Sequence, residues 1–137
     1  MNLKRLPYAL LSLAVMASLS CGLGCSGNTH AAFLPPEQIA RQALEAALSA
    51  WQSGAPPGKI EGETSDIQAL DFKWRAGHKL ASYEILDAEP GDSGPTWFTV
   101  KLVMKTPPGE VKARYAVIGK DPLWVYREED YKQACGM

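Results

Sequence analysis

Phe98-Thr99-Val100-Lys101-Leu102-Val103-Met104-Lys105-Thr106-Pro107-Pro108-Gly109-Glu110-Val111-Lys112-Ala113-Arg114-Tyr115-Ala116-Val117 is the stretch that decides the fold. Phe98, Val100, Leu102 and Met104 share one parity; Thr99, Lys101 and Lys105 share the other, interrupted by the apolar Val103. A strand projects successive side chains to opposite faces, so this period of two describes a half-buried strand. Thr106-Pro107-Pro108-Gly109 supplies a tight turn, with proline then glycine at its centre. Val111, Ala113, Tyr115 and Val117 then resume the alternation against Lys112, Arg114 and Ala116. The two runs predict an antiparallel hairpin with one apolar face and an outer face carrying Lys101, Lys105, Lys112 and Arg114.

Outward from the hairpin, Leu80 to Asp87 is a further strand, and Glu89-Pro90-Gly91-Asp92-Ser93-Gly94-Pro95 is the loop between them. Gly119-Lys120-Asp121-Pro122 turns the chain into a fourth strand, Leu123-Trp124-Val125-Tyr126, followed by the charged end Arg127-Glu128-Glu129-Asp130. Upstream the period changes. Pro35-Pro36-Glu37 opens an alanine- and leucine-rich run through Trp51, with proline and an acid where a helix start tolerates them. Ala40, Leu44, Ala47, Leu48 and Trp51 fall on one stripe of that helix, and Arg41, Gln42, Glu45 and Gln52 lie off it. Ser53-Gly54-Ala55-Pro56-Pro57-Gly58 ends it, and Ser65-Asp66-Ile67-Gln68 has capping-box spacing, which predicts a short helical turn through Ala69 and Leu70. A helix with one apolar stripe and a sheet with one apolar face cover each other. The expected class is therefore α+β, one N-terminal helix packed on a curved four-stranded antiparallel sheet.

The chain has 137 residues, 14 Lys+Arg and 15 Asp+Glu, 46% hydrophobic and 21% charged residues. That length allows one domain, and the near-neutral balance excludes a strongly basic nucleic-acid binder. Lys4 and Arg5 precede an uncharged apolar run from Leu6 to Leu19, and small residues and Cys21 follow. This is the layout of a secretory signal peptide, with an apolar core too short for a bilayer span. The organisation read from it is signal peptide at 1–20, lipidation site and tether at 21–36, a single domain at 37–133 and a C-terminal tail at 134–137. Without Lys4 and Arg5 the exported chain carries 12 cations against 15 anions.

Ser18-Leu19-Ser20-Cys21 resembles the lipobox of bacterial lipoproteins, and Gly22-Leu23-Gly24-Cys25 is the alternative. The resemblance implies acylation at Cys21, or else at Cys25, and a domain held at the membrane by acyl chains on its periplasmic side; ordinary cleavage implies a secreted protein. Asp71 to Leu86, followed by Trp97-Phe98-Thr99-Val100, looks like segments of small bacterial envelope lipoproteins. Helix, connection and curved strands together resemble the cystatin-like and NTF2-like folds. Such folds host binding modules and enzymes alike. The protease-inhibitory Gln-x-Val-x-Gly hairpin of cystatins is replaced here by Thr106-Pro107-Pro108-Gly109. NTF2-like enzymes resembling ketosteroid isomerase set an acid and a tyrosine inside the cone, which makes Asp71, Tyr83, Glu84 and Tyr115 the catalytic candidates. The plainer roles are ring packing for the tyrosines and solvation for Glu84.

Of three cysteines, none forms a CxxC or Cys/His cluster, so neither a metal site nor a cofactor is expected. With Cys21 acylated, Cys25 and Cys135 are free to pair. Ser82, His78 and Asp87 assemble a triad only on paper. Trp97 and Trp124, on the parity opposite Phe98 and Val125, form with Lys101 and Arg114 a candidate partner surface. Two function classes follow: an anchored, non-catalytic module binding an envelope protein or small ligand, and a small enzyme with an acid/tyrosine pocket.

Overall fold

The structure, a computed structural model, describes residues 33–136. It is α+β, as expected, with more strands than the sequence suggests. Helix α1 (Glu37–Gln52) is followed by β1 (Gly58–Ile60), β2 (Ile67–Leu70), the short helix α2 (Phe72–Arg75), β3 (Lys79–Glu89), β4 (Trp97–Thr106), β5 (Pro108–Gly119), β6 (Leu123–Arg127) and helix α3 (Glu128–Ala134). All six strands form one sheet in the order β1-β2-β6-β5-β4-β3. The four strands expected from the sequence, β3 to β6, are an antiparallel set. The added pair makes the sheet mixed, because β2 runs parallel to β6.

Ile67–Leu70 is therefore a strand, correcting the expected helical turn. Ile67 and Ala69 alternate with Gln68 and Leu70 in burial, and four residues docked in register along β6 gain more from ladder bonds and a buried face than one isolated turn would. The hairpin turn also moves. Lys105 faces Pro108 and Met104 faces Gly109, so the connecting residues are Thr106 and Pro107.

Leu44, Phe98, Val100 and Leu102 are fully enclosed between α1 and the inner face of the sheet. Ala40, Leu44, Ala47, Leu48 and Trp51 are all buried, and Ala43 joins them. Register shifts along β3 at Lys79/Leu80, Leu80/Ser82 and Ile85/Asp87 mark bulges, which bend and twist a strand around the helix. The Trp51 and Trp74 rings stack at 5.5 Å. Their indole N–H groups are satisfied by the carbonyls of His78 and Ala55 at 2.8 and 2.9 Å. Trp74 is thus part of the core. At the β5–β6 turn Gly119 has φ +92°, and a Cβ there would meet the Pro122 carbonyl oxygen at 2.8 Å, so only glycine fits.

Arg127 to Asp130, expected as a charged end, instead leads into α3. Glu128, Glu129 and Asp130 fill the first turn, where the helix dipole favours negative charge. Tyr131 then folds back onto the outer face. Its ring meets Trp97 edge-on at 5.2 Å and Tyr126 at 5.8 Å, above Ala116, which pairs with both Trp97 and Tyr126 in register and is fully buried. No helix among the described residues is long and apolar enough to cross a membrane. The expected signal peptide, Cys21 and Cys25 lie outside them.

Candidate functional site

Three features carry chemistry: a buried polar node, a groove beside α1 and the outer aromatic face.

The node begins at Asp71, directly after β2. In a parallel pair with β6 its position follows Ala69↔Val125 toward Arg127, and Arg127 shares the inward parity of Leu123 and Val125. Tyr115 stands opposite Arg127 on β5. Tyr115 donates its hydroxyl to Asp71 Oδ2 at 2.5 Å. Arg127 Nη1 lies 3.4 Å from each Asp71 oxygen, and Oδ1 caps α2 by accepting from Lys73 N–H at 2.9 Å and Trp74 N–H at 3.3 Å. Asp130 extends the node. It accepts from Phe72 N–H at 3.0 Å and from Arg75 Nη2 at 2.6 Å. Asp71, Arg127 and Asp130 are all buried, and each is paired, as burial of charge requires.

Burial, then the Asp71 charge, pushes the Tyr115 hydroxyl well above its ordinary value, so it stays a donor. Burial opposes the charge on Arg127, but Tyr115, Asp71 and Glu129 outweigh it and its pKa rises. Asp130 is raised, chiefly by burial, against the pull of Phe72 N–H and Arg75.

Two of the four catalytic candidates, Asp71 and Tyr115, are therefore in direct contact. The space beside them, enclosed by Leu48, Trp51, Trp74 and Val125, measures ≈ 10 Å³, room for one water at most. Every oxygen of Asp71 is committed to a donor. The pair ties β2, α2, β5 and β6 together and offers no site for a substrate. Arg127 and Asp130, the rest of the node, were missed in sequence reasoning. The available signal was the parity of Arg127, which places it on the same face as Leu123 and Val125, where a buried charge needs a partner.

Tyr83 and Glu84 lie elsewhere, on β3. Tyr83 points inward, and its hydroxyl shares a hydrogen bond of 2.7 Å with Ser49 Oγ and reaches the Glu45 carbonyl at 3.4 Å. Glu84 is exposed on the edge strand and pairs with Lys101 at 3.5 Å. Ser82 and Asp87 are five residues apart on that strand, about 16 Å along it, so the paper triad is not assembled.

Tyr83 closes one side of a groove of ≈ 380 Å³ between α1 and the loop after β1. Its floor is apolar, from Ile39, Ala43, Ala46, Ile67 and Leu123. Its rim is made of acceptors and hydroxyls, from Gln42, Glu45, Ser49, Glu63, Thr64 and Ser65. The volume falls in the range of small-molecule sites, and the small Ala43 and Ala46 are what leave it open.

The outer face is divided. Trp97 is covered by Tyr131, and the Arg114 guanidinium sits 5.0 Å from the Trp97 ring centroid. Arg114 also binds Glu128 at 2.6 Å and Glu89 at 3.4 Å. Trp97 and Arg114 thus form the seat of α3, and Lys101 is tied to Glu84. Trp124 stays exposed and is separated from Trp97 by the Tyr126 and Tyr131 rings. Cys135 is exposed at the end of α3. Among the described residues no cluster of three or more His, Cys, Asp or Glu side chains could hold a metal ion.

Comparison with family models, with curated proteins and with solved structures finds no match for the chain.

Proposed function

We propose that the chain is an exported, lipid-anchored binding module of the bacterial cell envelope, of cystatin-like or NTF2-like shape, and that the groove along α1 is where it takes a small ligand. The observation that carries this reading is the contrast between two concavities. The groove at Ser49 and Tyr83 offers ≈ 380 Å³, whereas the acid/tyrosine pair has ≈ 10 Å³ beside it. Binding needs room, and the room is at the groove. The alternative, an enzyme using Asp71 and Tyr115, needs a reacting atom within hydrogen-bond reach of both, and Trp74 and Leu48 already occupy that place.

The rim also selects chemistry. Glu45, Glu63, Gln42 and the three hydroxyls present acceptors, with no lysine or arginine in the lining. A small molecule rich in donors, such as an amine or a polyhydroxyl compound with one apolar face, complements it. The anchor rests on the lipobox-like residues before Cys21 or Cys25.

Two experiments test the reading. Labelled palmitate incorporated by the native chain and lost in Cys21→Ala or Cys25→Ala supports the anchor; label that survives in both variants, or is never incorporated, refutes it. For the groove, the native chain is screened by thermal shift against amines, amino sugars and sugars. A ligand at 100 times its Kd adds about 2.7 kcal/mol, a rise of roughly 10 °C or more for a domain this size. A shift that persists when Ala46→Trp fills the groove would sink the assignment.

A further inference from the structure

We infer that Phe33, Ile118 and Trp124 form a patch that seats on the lipid leaflet carrying the anchor, holding the domain with its Gly119–Pro122 turn against the membrane surface. This deepens the anchored reading above and rests on it.

Ile118 and Trp124 are direct cross-strand neighbours on the outer face. Phe33 completes the patch. It is 56% exposed and Trp124 is 36% exposed, and with Ile118, Gly119, Pro122 and the opposite charges of Lys120 and Asp121 they line a shallow groove of ≈ 360 Å³. Phe33 is held there by its backbone, because its carbonyl accepts from Gly119 N–H at 2.6 Å. The chain therefore enters the domain at this patch. Cys21 and Cys25 stand 12 and 8 residues upstream, which limits their distance from Phe33 to about 43 and 29 Å even at full extension. Whichever cysteine is acylated, the part of the domain joined most directly to it is the one with these exposed rings.

The chemistry fits a leaflet. Tryptophan settles at the headgroup level, with its ring toward the acyl chains and its N–H outward. Lys120, exposed beside it, has the reach to bury its stem and set its ammonium among phosphates; Asp121 next to it offsets that charge, so the rings rather than net charge hold the patch to the leaflet. Size argues the same way. At these exposures the two rings, the apolar centre of the patch, offer roughly 200 Å², and the whole seven-residue lining is far fewer than the roughly 20–30 residues a side of a stable protein interface. A leaflet asks less, since the acyl chains supply retention and the patch need only orient the domain.

The test uses the acylated full chain in phosphatidylethanolamine/phosphatidylglycerol vesicles with plain or brominated acyl chains, reading tryptophan emission. Bromine should quench part of the emission; Trp124→Phe should abolish that part, Trp97→Phe should leave it, and Phe33→Ser should reduce it about two-fold. Independently of any variant, the Ile118–Trp124 amides should exchange more slowly in the acylated chain on vesicles than in the unacylated Cys21→Ala/Cys25→Ala chain. Protein that does not float with vesicles overturns the anchor itself. Protein that floats, with Trp124 unquenched and exchange unchanged, overturns the docking alone. Trp124 shielded from acrylamide yet unquenched by bromine would mean that a protein or a second copy covers the patch, which also overturns it.

Discussion

Replacing Tyr115 with phenylalanine removes one oxygen from the most enclosed polar contact in the domain and tests whether the node is structural. The ring is fully buried, so the apolar packing of β5 against β4 and β6 is kept and no large cavity is made. What is lost is the donor to Asp71 Oδ2 at 2.5 Å. Asp71 Oδ1 keeps Lys73 N–H at 2.9 Å and Trp74 N–H at 3.3 Å, but Oδ2 is left with Arg127 at 3.4 Å alone. Hydrogen bonds to charged groups contribute about 1.5–3 kcal/mol, and a buried oxygen stripped of its donor carries a desolvation cost of similar size. The short contact and the lack of room for more than one replacement water put Tyr115→Phe near the top, a loss of about 2–3 kcal/mol. Asp71→Ala should cost more, about 3–5 kcal/mol, because it strips buried Arg127 of its buried partner and leaves it only the exposed Glu129 at 3.2 Å. Urea unfolding followed through the Trp51–Trp74 stack measures both, and an unchanged slope keeps the comparison two-state. The two losses should be far from additive in the double variant, since both remove the same contact. A Tyr115→Phe chain within about 0.5 kcal/mol of the parent would refute the structural role.

Three further outcomes are expected. Leu44→Ala, at the centre of the buried stripe of α1, should cost about 2–5 kcal/mol in the same assay. Trp97→Ala removes the wall that Tyr131 packs against; amide exchange across Glu128–Ala134 should accelerate while the α1 amides keep their protection, and uniform acceleration would show that α3 is not a separately docked element. Asp130 is raised above its ordinary 3.8, chiefly by burial, so the folded state holds its proton more tightly than the unfolded state. Its contribution is therefore most favourable at low pH and declines as pH rises above 3.8 toward the folded value. The stability difference between parent and Asp130→Asn should move against the parent across that interval, as read from unfolding at a series of pH values.

The hairpin was legible because its information is local. Alternation from Phe98 to Val117 fixes which side chains meet α1, and the periodic stripe from Ala40 to Trp51 fixes which face of the helix meets them. β2 was not, since Ser65-Asp66-Ile67-Gln68 has a real capping-box spacing. Its state is decided by β6, more than fifty residues downstream, which supplies a parallel partner to Ile67, Gln68, Ala69 and Leu70. The candidate site divides along the same line. Asp71 and Tyr115 were named through the resemblance to acid/tyrosine pockets, and they do meet; that Leu48, Trp51 and Trp74 would fill the space around them depends on how α1 and α2 cross, which no local pattern encodes. α3 was hidden because seven residues carry too little periodicity, and Tyr131 declares its role only through the slot that Ala116 leaves between Trp97 and Tyr126.

The placement of these features bears on the proposed anchoring. Asp71, Tyr115, Arg127 and Asp130 lock the end of the sheet where β2 and β6 finish, and polar groups there are spent on one another. At the opposite end, where β2 and β6 begin, the loop after β1 and the β5–β6 turn are stitched together by Leu123 N–H to the Asp66 carbonyl at 2.9 Å and Ser65 Oγ to the Lys120 carbonyl at 2.9 Å. The α1 groove and the Phe33–Trp124 patch both lie at this second end, on opposite faces of the sheet, with Leu123 lining the first and Trp124 the second. Adjacent residues on a strand point to opposite faces, so β6 connects them directly, and the Ser65–Lys120 hydrogen bond joins them a second time. An orientation imposed through Trp124 thus fixes the direction in which the groove opens relative to the leaflet, without any change of shape in the domain.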